Sequence, residues 1–398
     1  MDATRKNTGA FLDGHIDRST WKRVRLGDYA TLFAGGTPSR AVSDYYGGTI
    51  PWCSISDISN AGKFLTRTEE SLTSLGLEKS SAKLIPADAI LFAMYASIGE
   101  CSLATTPLAT SQAILGIYNL KGFDREYLYY YLCSRKDAFI NQGQTGTQSN
   151  LSKEILSNLQ LPKPEIEEQC SIAVSLSTID TNISALQSLI AKYEAIKKAT
   201  VNLLLKPTGT HMVKLGEVAD ISRGGSPRPI QDYITADIDG INWIKIGDVS
   251  VDAKYIKQTE ERIKPTGVAM SRQVKAGDFI LSNSMSFGRP YILKIDGCIH
   301  DGWLAIQNYQ NTFDVDYLYY LLGSDMVFAQ YIENAAGSSV KNLNKDIVAK
   351  ITLPSPPLSE QRKIAEQIAA IDKVLADYKA QLEKARQLKA GMMSYFFG

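Results

Sequence analysis

The segments Leu26-Gly27-Asp28 and Gly35-Gly36-Thr37-Pro38 return 189 positions later as Leu215-Gly216-Glu217 and Gly224-Gly225-Ser226-Pro227. The echo continues in order. Trp52 and Asp57 match Trp243 and Asp248 at an offset of 191, and Tyr127-Leu128-Tyr129-Tyr130 matches Tyr317-Leu318-Tyr319-Tyr320 at 190. Leu161-Pro162-Lys163-Pro164 with Glu168-Gln169 matches Leu353-Pro354-Ser355-Pro356 with Glu360-Gln361 at 192. A drift of three residues across half of a 398-residue chain marks a duplicated unit with small loop insertions. Two copies are too few to stack into a solenoid. The expectation is a pseudo-twofold pair of domains, an arrangement suited to a target read at two places.

Within each half, short β-like runs such as Thr49-Ile50-Pro51-Trp52 and Ala89-Ile90-Leu91-Phe92-Ala93 alternate with Gly, Ser, Asp and Asn punctuation, which predicts strand-rich domains. One helix is expected in each, from Asp124 to Ile140 and from Asp314 to Ile332, each behind a capping Asp. The tails differ. After Pro164, apolar residues recur at Ile172, Leu176, Ile179, Ile183, Leu186, Ile190 and Tyr193 in alternating steps of four and three, a heptad seam. It reappears 192 residues on at Ile364, Ile368, Ile371, Leu375, Tyr378, Leu382 and Ala385. Two helices of roughly 40 residues would each be about 60 Å long and too narrowly amphipathic to stand alone in water. They are expected to pack on one another, antiparallel, through these seam residues; the alternative is that each packs back on its own domain. The expected fold is α+β, with two pseudo-twofold-related strand-rich domains separated by two long antiparallel coiled-coil helices. The expected boundaries are an arm over 1–20, a domain over 21–164, a helix over 165–206, a second domain over 207–356 and a second helix over 357–398. Lys206-Pro207-Thr208-Gly209-Thr210 reads as helix stop and linker, and Gly209-Thr210-His211-Met212 also has the look of a cloning junction.

Hydrophobic content of 44% and charged content of 21% are those of a globular protein. No apolar run approaches the ~18 residues of a membrane span, and Met1 to Ser19 lacks the apolar core of a signal peptide, so the cytoplasm is the expected location. Cys53, Cys101, Cys133, Cys170 and Cys298 are scattered, and His15, His211 and His300 lie far apart, so neither a disulfide framework nor a metal site is expected. The net charge of +1 argues against a surface that coats nucleic acid broadly. Residues 20–164 hold 14 Lys and Arg against 12 Asp and Glu, and residues 207–356 hold 15 against 17. DNA binding would rest on local patches, on shape, or on positive charge brought by partners.

Catalytic motifs are missing. The chain has no Gly-x-Gly-x-x-Gly, no phosphate-binding Gly-x-x-x-x-Gly-Lys-Ser/Thr, no His-Glu-x-x-His and no Gly-x-Ser-x-Gly. The Asn/Asp-Pro-Pro-aromatic element of an amino-methyltransferase is missing too, since the one Pro-Pro pair, Pro356-Pro357, precedes the last helix. A duplicated catalyst would duplicate its base, and no His recurs. Asp57 and Asp248 read equally as turn formers beside a buried Trp, and Trp52 and Trp243 as core.

Three duplicated stretches carry binding chemistry. The Gly-Gly loops deliver Ser39 and Arg40 in the first copy and Arg223 and Arg228 in the second, an arginine with turn amides being able to meet a phosphate or a guanine edge. The Gly/Ser/Thr-rich stretch with Gln144, Thr145, Thr147, Gln148 and Asn150 is echoed by Ser338, Ser339, Lys341 and Asn342, each ahead of an N-capping Ser152 or Asn344. The third stretch supplies Tyr95 and Ser97, echoed by Asn283, Ser284 and Arg289, where alternating aromatic and polar side chains can touch bases or pack a turn.

From about Trp21 to its end the chain resembles the specificity (S) subunit of type I restriction-modification enzymes. The resemblance rests on Leu-Gly-Asp/Glu with Gly-Gly-Thr/Ser-Pro, the Trp-x-x-x-x-Asp pair, the Gly/Ser/Thr loop before Leu-Ser/Asn-Lys, and Leu-Pro-x-Pro-x-x-x-Glu-Gln opening a long helix. It is the duplication of all four in one order that is specific. It implies two target recognition domains, each reading one half of a bipartite, asymmetric double-stranded DNA sequence. It also implies two methyltransferase (M) subunits that carry S-adenosylmethionine and modify adenine N6, and restriction (R) subunits that use ATP and Mg2+ for translocation and cleavage. The chain itself would then be non-catalytic, bind no cofactor and have no membrane partner. Two other readings stay open: a coiled-coil scaffold that binds only proteins, and a specificity module for a stand-alone adenine methyltransferase.

Overall fold

The computed structural model describes residues 18–144, 150–206, 209, 211–250, 253–283, 288–335 and 343–398. The chain divides into two compact units, the first Met1–Gln187 with Ala380–Gly398, the second Ser188–Lys379. Most of the expected N-terminal arm, residues 1–17, lies outside the described residues; Arg18–Thr20 forms one 3-10 turn.

In the first unit a five-stranded sheet runs in the order Thr31–Ala34, Ile114–Tyr118, Ile90–Ala93, Cys101–Ala104, Phe64–Leu65. Its middle strands are buried on both faces and are accordingly written as near-continuous apolar runs rather than as an alternation. A three-stranded sheet orders Glu70–Leu72, Tyr46–Cys53 and Ala109–Thr110, and Lys22–Arg25 pairs with Gln160–Lys163 in a separate ribbon. The second unit has the same five-strand order: Asp220–Arg223, Trp303–Gln307, Phe279–Ser282, Pro290–Leu293, Tyr255–Ile256. Its second sheet is larger, with Ile234–Thr235, Glu261–Ile263, Ile241–Ile244, Gly297–Ile299 and Arg272–Val274 in five strands.

The single helix expected from Asp124 to Ile140 is two, Arg125–Ser134 and Lys136–Gln144. The Ser134 hydroxyl turns back to the Tyr131 carbonyl at 2.7 Å, and Arg135 leaves the helix at φ −99°, ψ 8°. In the second unit the expected helix divides into Val315–Leu322 and Asp325–Ala335. There Ser324 bonds back to Leu321 O at 2.7 Å and caps the next helix by accepting from Val327 N at 3.3 Å. Serine competes with the backbone for these groups, which is why it punctuates an otherwise helical pattern.

The long helices are Ile166–Leu204 and Leu358–Phe397. In each unit the segments they contribute run antiparallel. In the first, Asp180 meets Lys389 at 2.6 Å while Ile172 and Leu176 share a core with Phe396 and Phe397. In the second, Glu194 meets Lys379 at 2.9 Å, Lys197 meets Asp372 at 2.6 Å, and Tyr193 and Tyr378 pack at 5.5 Å. Ile172, Leu176, Ile179, Leu186, Ile190, Ile368, Leu375 and Leu382 are buried, and Ile183, Ile364, Ile371 and Tyr378 half-buried. The seam is not purely between helices, however. Ile172 and Leu176 pack into the core built on Tyr127 and Leu128, and Ile368 into the core built on Tyr317 and Leu318, because each helix begins against the domain it follows.

Two polar fixtures tie each helix to its domain. Gln169, fully buried, accepts from Asp124 N at 2.9 Å and donates to Gly122 O at 3.2 Å and Pro164 O at 2.9 Å. Gln361 does the same with Asp314 N at 2.8 Å, Thr312 O at 2.9 Å and Pro356 O at 2.8 Å. The hydroxyls of Tyr130 and Tyr320 donate to Asp180 at 2.7 Å and Asp372 at 2.8 Å. Burial raises both phenols above their ordinary value, so each stays a donor. Among the described residues no helix is long and apolar enough to cross a membrane.

Candidate nucleic-acid interface

In the first unit the stretches singled out in the sequence converge on the turn between Thr110 and Ile114. Gly35 N donates to Ile114 O at 3.1 Å and Gly36 N to Thr110 O at 2.8 Å, which docks the Gly-Gly loop on that turn. Met94 N donates to Ala113 O at 2.8 Å, bringing in the stretch with Tyr95 and Ser97. Leu151 N donates to Met94 O at 3.0 Å, bringing in Asn150.

The second unit repeats this with the turn between Ile299 and Trp303. Gly224 N donates to Trp303 O at 2.9 Å, Gly225 N to Ile299 O at 3.1 Å, Asn283 N to Gly302 O at 3.0 Å and Leu343 N to Asn283 O at 2.9 Å. A side chain at Gly35 would clash with the Thr110 carbonyl oxygen, and one at Gly224 with that of His300, so both positions demand glycine. The glycine amides, which could have met a phosphate, are thus used inside each unit, as in a plain turn. What the loops present outward is side chains.

The arginines of the two loops are wired differently. Arg40 reaches Glu70 through both guanidinium ends, at 2.6 and 2.7 Å, and lies 4.6 Å from the Tyr46 ring centroid and 5.0 Å from that of Trp52. Its hydrogen bonds hold the Glu70 carboxyl below the usual range, against a smaller opposing effect of burial. Arg228, with a side chain 80% exposed, touches Asp301 Oδ2 at 3.2 Å. Arg223 donates to the Asp301 carbonyl at 3.2 Å, and Asn283, buried, to the same oxygen at 2.9 Å.

Asp301 is a hub that the sequence did not flag. Its Oδ1 accepts from the Ser226 hydroxyl at 3.1 Å and lies 2.9 Å from His300 Nε2, while His300 Nδ1 accepts from Gly302 N at 2.9 Å. Burial works to raise the Asp301 carboxyl, but His300, the Ser226 hydroxyl and Arg228 outweigh it and hold it below its ordinary value. Because Ser226 bonds to the carboxylate and the imidazole is committed to Gly302 and Asp301, Ser, His and Asp here do not form a nucleophile-and-base relay. A shallow cavity of about 610 Å³ lined by Arg228, Pro229, Ile230, His300 and Asp301 adjoins this hub. The equivalent of Asp301 in the first unit is Gln112, exposed, whose side-chain oxygen accepts from Thr37. The signal that would have exposed the pair is the shared span of five residues from Thr110 to Ile114 and from Ile299 to Trp303, where no motif repeats.

Of the other expected residues, Ser39 and Asn150 are exposed, Tyr95 is half-buried against the domain core, and Ser97 accepts from Ser59 at 3.3 Å. Arg289 is half-buried. Thr145, Thr147, Gln148, Ser284, Ser338, Ser339, Lys341 and Asn342 lie outside the described residues, as does the side chain of Gln144. Trp52 and Trp243 are core residues. Asp57 and Asp248 close turns beside them, accepting from Ser54 N and Lys245 N at 2.7 Å each. Among the described residues no three His, Cys, Asp or Glu side chains are grouped to hold a metal ion.

Comparisons with known proteins agree with this duplicated plan. A curated relative, the Type I restriction enzyme MjaVIII specificity subunit of Methanocaldococcus jannaschii, is 25% identical over 92% of this chain and 90% of its own length. The MjaIX specificity subunit of the same organism is 31% identical, over 40% of this chain and 38% of its own length. In fold, the chain is similar to the S subunit of a type I restriction-modification system from M. genitalium, with a TM-score of 0.60 and 17% identity over 97% of this chain and 98% of that one. The family model described as type I restriction modification DNA specificity domain matches twice, over residues 18–195 and 207–385, and the chain belongs to that family.

Proposed function

We propose that this chain is the DNA-reading subunit of a type I restriction-modification complex, each unit reading one half of a bipartite, asymmetric double-stranded target. The observation that carries this is the loop cluster: in both units two distant stretches are bonded to one turn and a third to the second of them, through equivalent backbone hydrogen bonds, yet the side chains they offer differ. A shared scaffold with divergent side chains is what two readers of different half-sites require, since backbone contacts position and side chains on base edges specify.

Chemistry on the DNA is assigned to partners: M subunits that bring S-adenosylmethionine and R subunits that bring ATP and Mg2+ chemistry. The M subunits would also contribute the positive charge that a chain of net charge +1 lacks. That near-neutral charge equally suits a scaffold that binds only proteins. Methylome sequencing of a host with and without the chain separates the two: a reader adds a modified, two-part motif, whereas a scaffold adds none. A motif obtained without any ATP-dependent motor in the purified complex would instead identify the module of a stand-alone methyltransferase.

A further inference from the structure

We infer that Gln112 in the first unit and Asp301 with Arg228 in the second are the specificity-determining side chains of the two loop clusters, the first suited to an adenine edge and the second to a G·C pair. This rests on the DNA-reading function proposed above.

The two positions are structurally the same. Each is the middle residue of the turn that receives the Gly-Gly loop, and each is flanked by the carbonyl that receives Met94 N or Asn283 N, at 2.8 and 3.0 Å. Each side-chain oxygen accepts a hydroxyl from the same loop position, Thr37 or Ser226. Accepting that hydroxyl needs only an oxygen, which glutamine and aspartate both supply, so this anchoring bond survives the exchange. The exchange still changes what faces outward, a primary amide with donor and acceptor against a carboxylate that only accepts.

Base edges in the major groove distinguish these groups. A glutamine amide pairs with adenine N6 and N7, a carboxylate accepts from cytosine N4, and an arginine donates to guanine O6 and N7. In the second unit acceptor and donor stand side by side, Asp301 Oδ2 and Arg228 Nη2 being 3.2 Å apart. That order of groups complements the acceptor and donor edge of one G·C pair. Ser226 and His300 engage the other carboxylate oxygen and fix the plane of Asp301.

The test uses the chain expressed with its methyltransferase partner in a host without other adenine methylation, mapping the modified motif for wild type, Asp301→Asn and Gln112→Glu. Asp301→Asn is expected to turn one G·C position of one half-site toward A·T, with discrimination there changing about tenfold or more. Gln112→Glu is expected to move one position of the other half-site toward cytosine. If both variants keep the wild-type motif at every position, or if one substitution alters both half-sites, the inference is overturned while the DNA-reading function stands. If wild type yields no motif, it is that function that fails. For a variant that methylates nothing, competition binding with duplexes carrying all four base pairs at each motif position decides: a changed ranking supports the assignment, and a uniform loss overturns it.

Discussion

The two units are alike where the chain must hold itself together and unlike where it meets its surroundings. Gln169 and Gln361 make the same three hydrogen bonds, and Tyr130 and Tyr320 donate to equivalent aspartates. The arginines of the Gly-Gly loops diverge instead. Arg40 is clamped by Glu70 over two aromatic rings, whereas Arg228 stands largely in solvent beside Asp301. Duplication preserved the joint between domain and helix and left the loop cluster to drift. A joint serves folding and tolerates little change; a reading surface gains from change.

The comparison breaks most visibly at the buried glutamines. Gln169→Leu and Gln361→Leu each strand an amide N–H and two carbonyls inside the protein, at a cost of about 2 to 4 kcal/mol. Equal losses are expected, measured by denaturant unfolding; a loss at only one position would mean that the joints are not equivalent. Next come Tyr130→Phe and Tyr320→Phe, which remove a hydrogen bond to a carboxylate and should each cost about 1 to 2 kcal/mol. Each aspartate keeps its lysine, Lys389 in one case and Lys197 in the other, both at 2.6 Å, but Tyr130 also accepts from Lys63 Nζ at 2.9 Å, so Tyr130→Phe should cost the more of the two.

Much of this was legible because repetition doubles every weak signal. The glutamine joint could be located from Leu-Pro-x-Pro-x-x-x-Glu-Gln alone, and the heptad seam placed both long helices, which run from Ile166 to Leu204 and from Leu358 to Phe397. What stayed hidden depends on tertiary proximity. Ser134 and Ser324 end their helices through bonds that periodicity does not encode. Cys101 and Cys133 look scattered, yet the fold sets both against one cavity with Tyr129 and Lys136, and burial pushes the Cys101 thiol up. Gln112 and Asp301 were invisible for the opposite reason: they differ, and repetition reveals only sameness. The seam continues in register beyond Tyr193 and Ala385 to Leu204 and Phe396, 192 residues apart, which pack on the cores of the second and first units.

The arginines sharpen the comparison on the functional side. Arg228→Ala should weaken binding of the methyltransferase complex to its target duplex by about tenfold, as removal of a base or phosphate partner does. Arg40→Ala should act mainly on the first unit itself, and modestly, because an exposed ion pair contributes at most about 1 kcal/mol. Fluorescence titration at two salt concentrations distinguishes the roles. Removing a side chain that binds phosphate lowers the salt dependence, whereas removing one that reads a base lowers selectivity at one position. Equal effects of the two substitutions would erase the difference drawn between the loops.

The smallest effect is one of pH, and it should appear in both units for different reasons. Glu70 is held low chiefly by the Arg40 hydrogen bonds, and Asp301 by His300, Ser226 and Arg228 acting against burial. A carboxyl with a lowered folded pKa adds stability that is fully present above its unfolded value, about 4.3 for Glu and 3.9 for Asp, and is lost as pH falls through the folded value. Solvent screening limits each contribution, since the Glu70 and Asp301 side chains are 41% and 30% exposed. Hydrogen exchange read at the strands around Trp52 and Trp303 between about pH 5 and 2.5 should show Glu70→Gln flattening the acid response of the first unit only, and Asp301→Asn that of the second only. The two carboxyls stand at different places in their clusters. Glu70 anchors the Arg40 clamp, whereas Asp301 occupies the turn itself, where Gln112 in the first unit has no charge to lose. An acid response of the first unit that survived Glu70→Gln unchanged would therefore place its titrating group outside the loop cluster, and the contrast between a clamped and an open arginine would have to be drawn without that carboxylate.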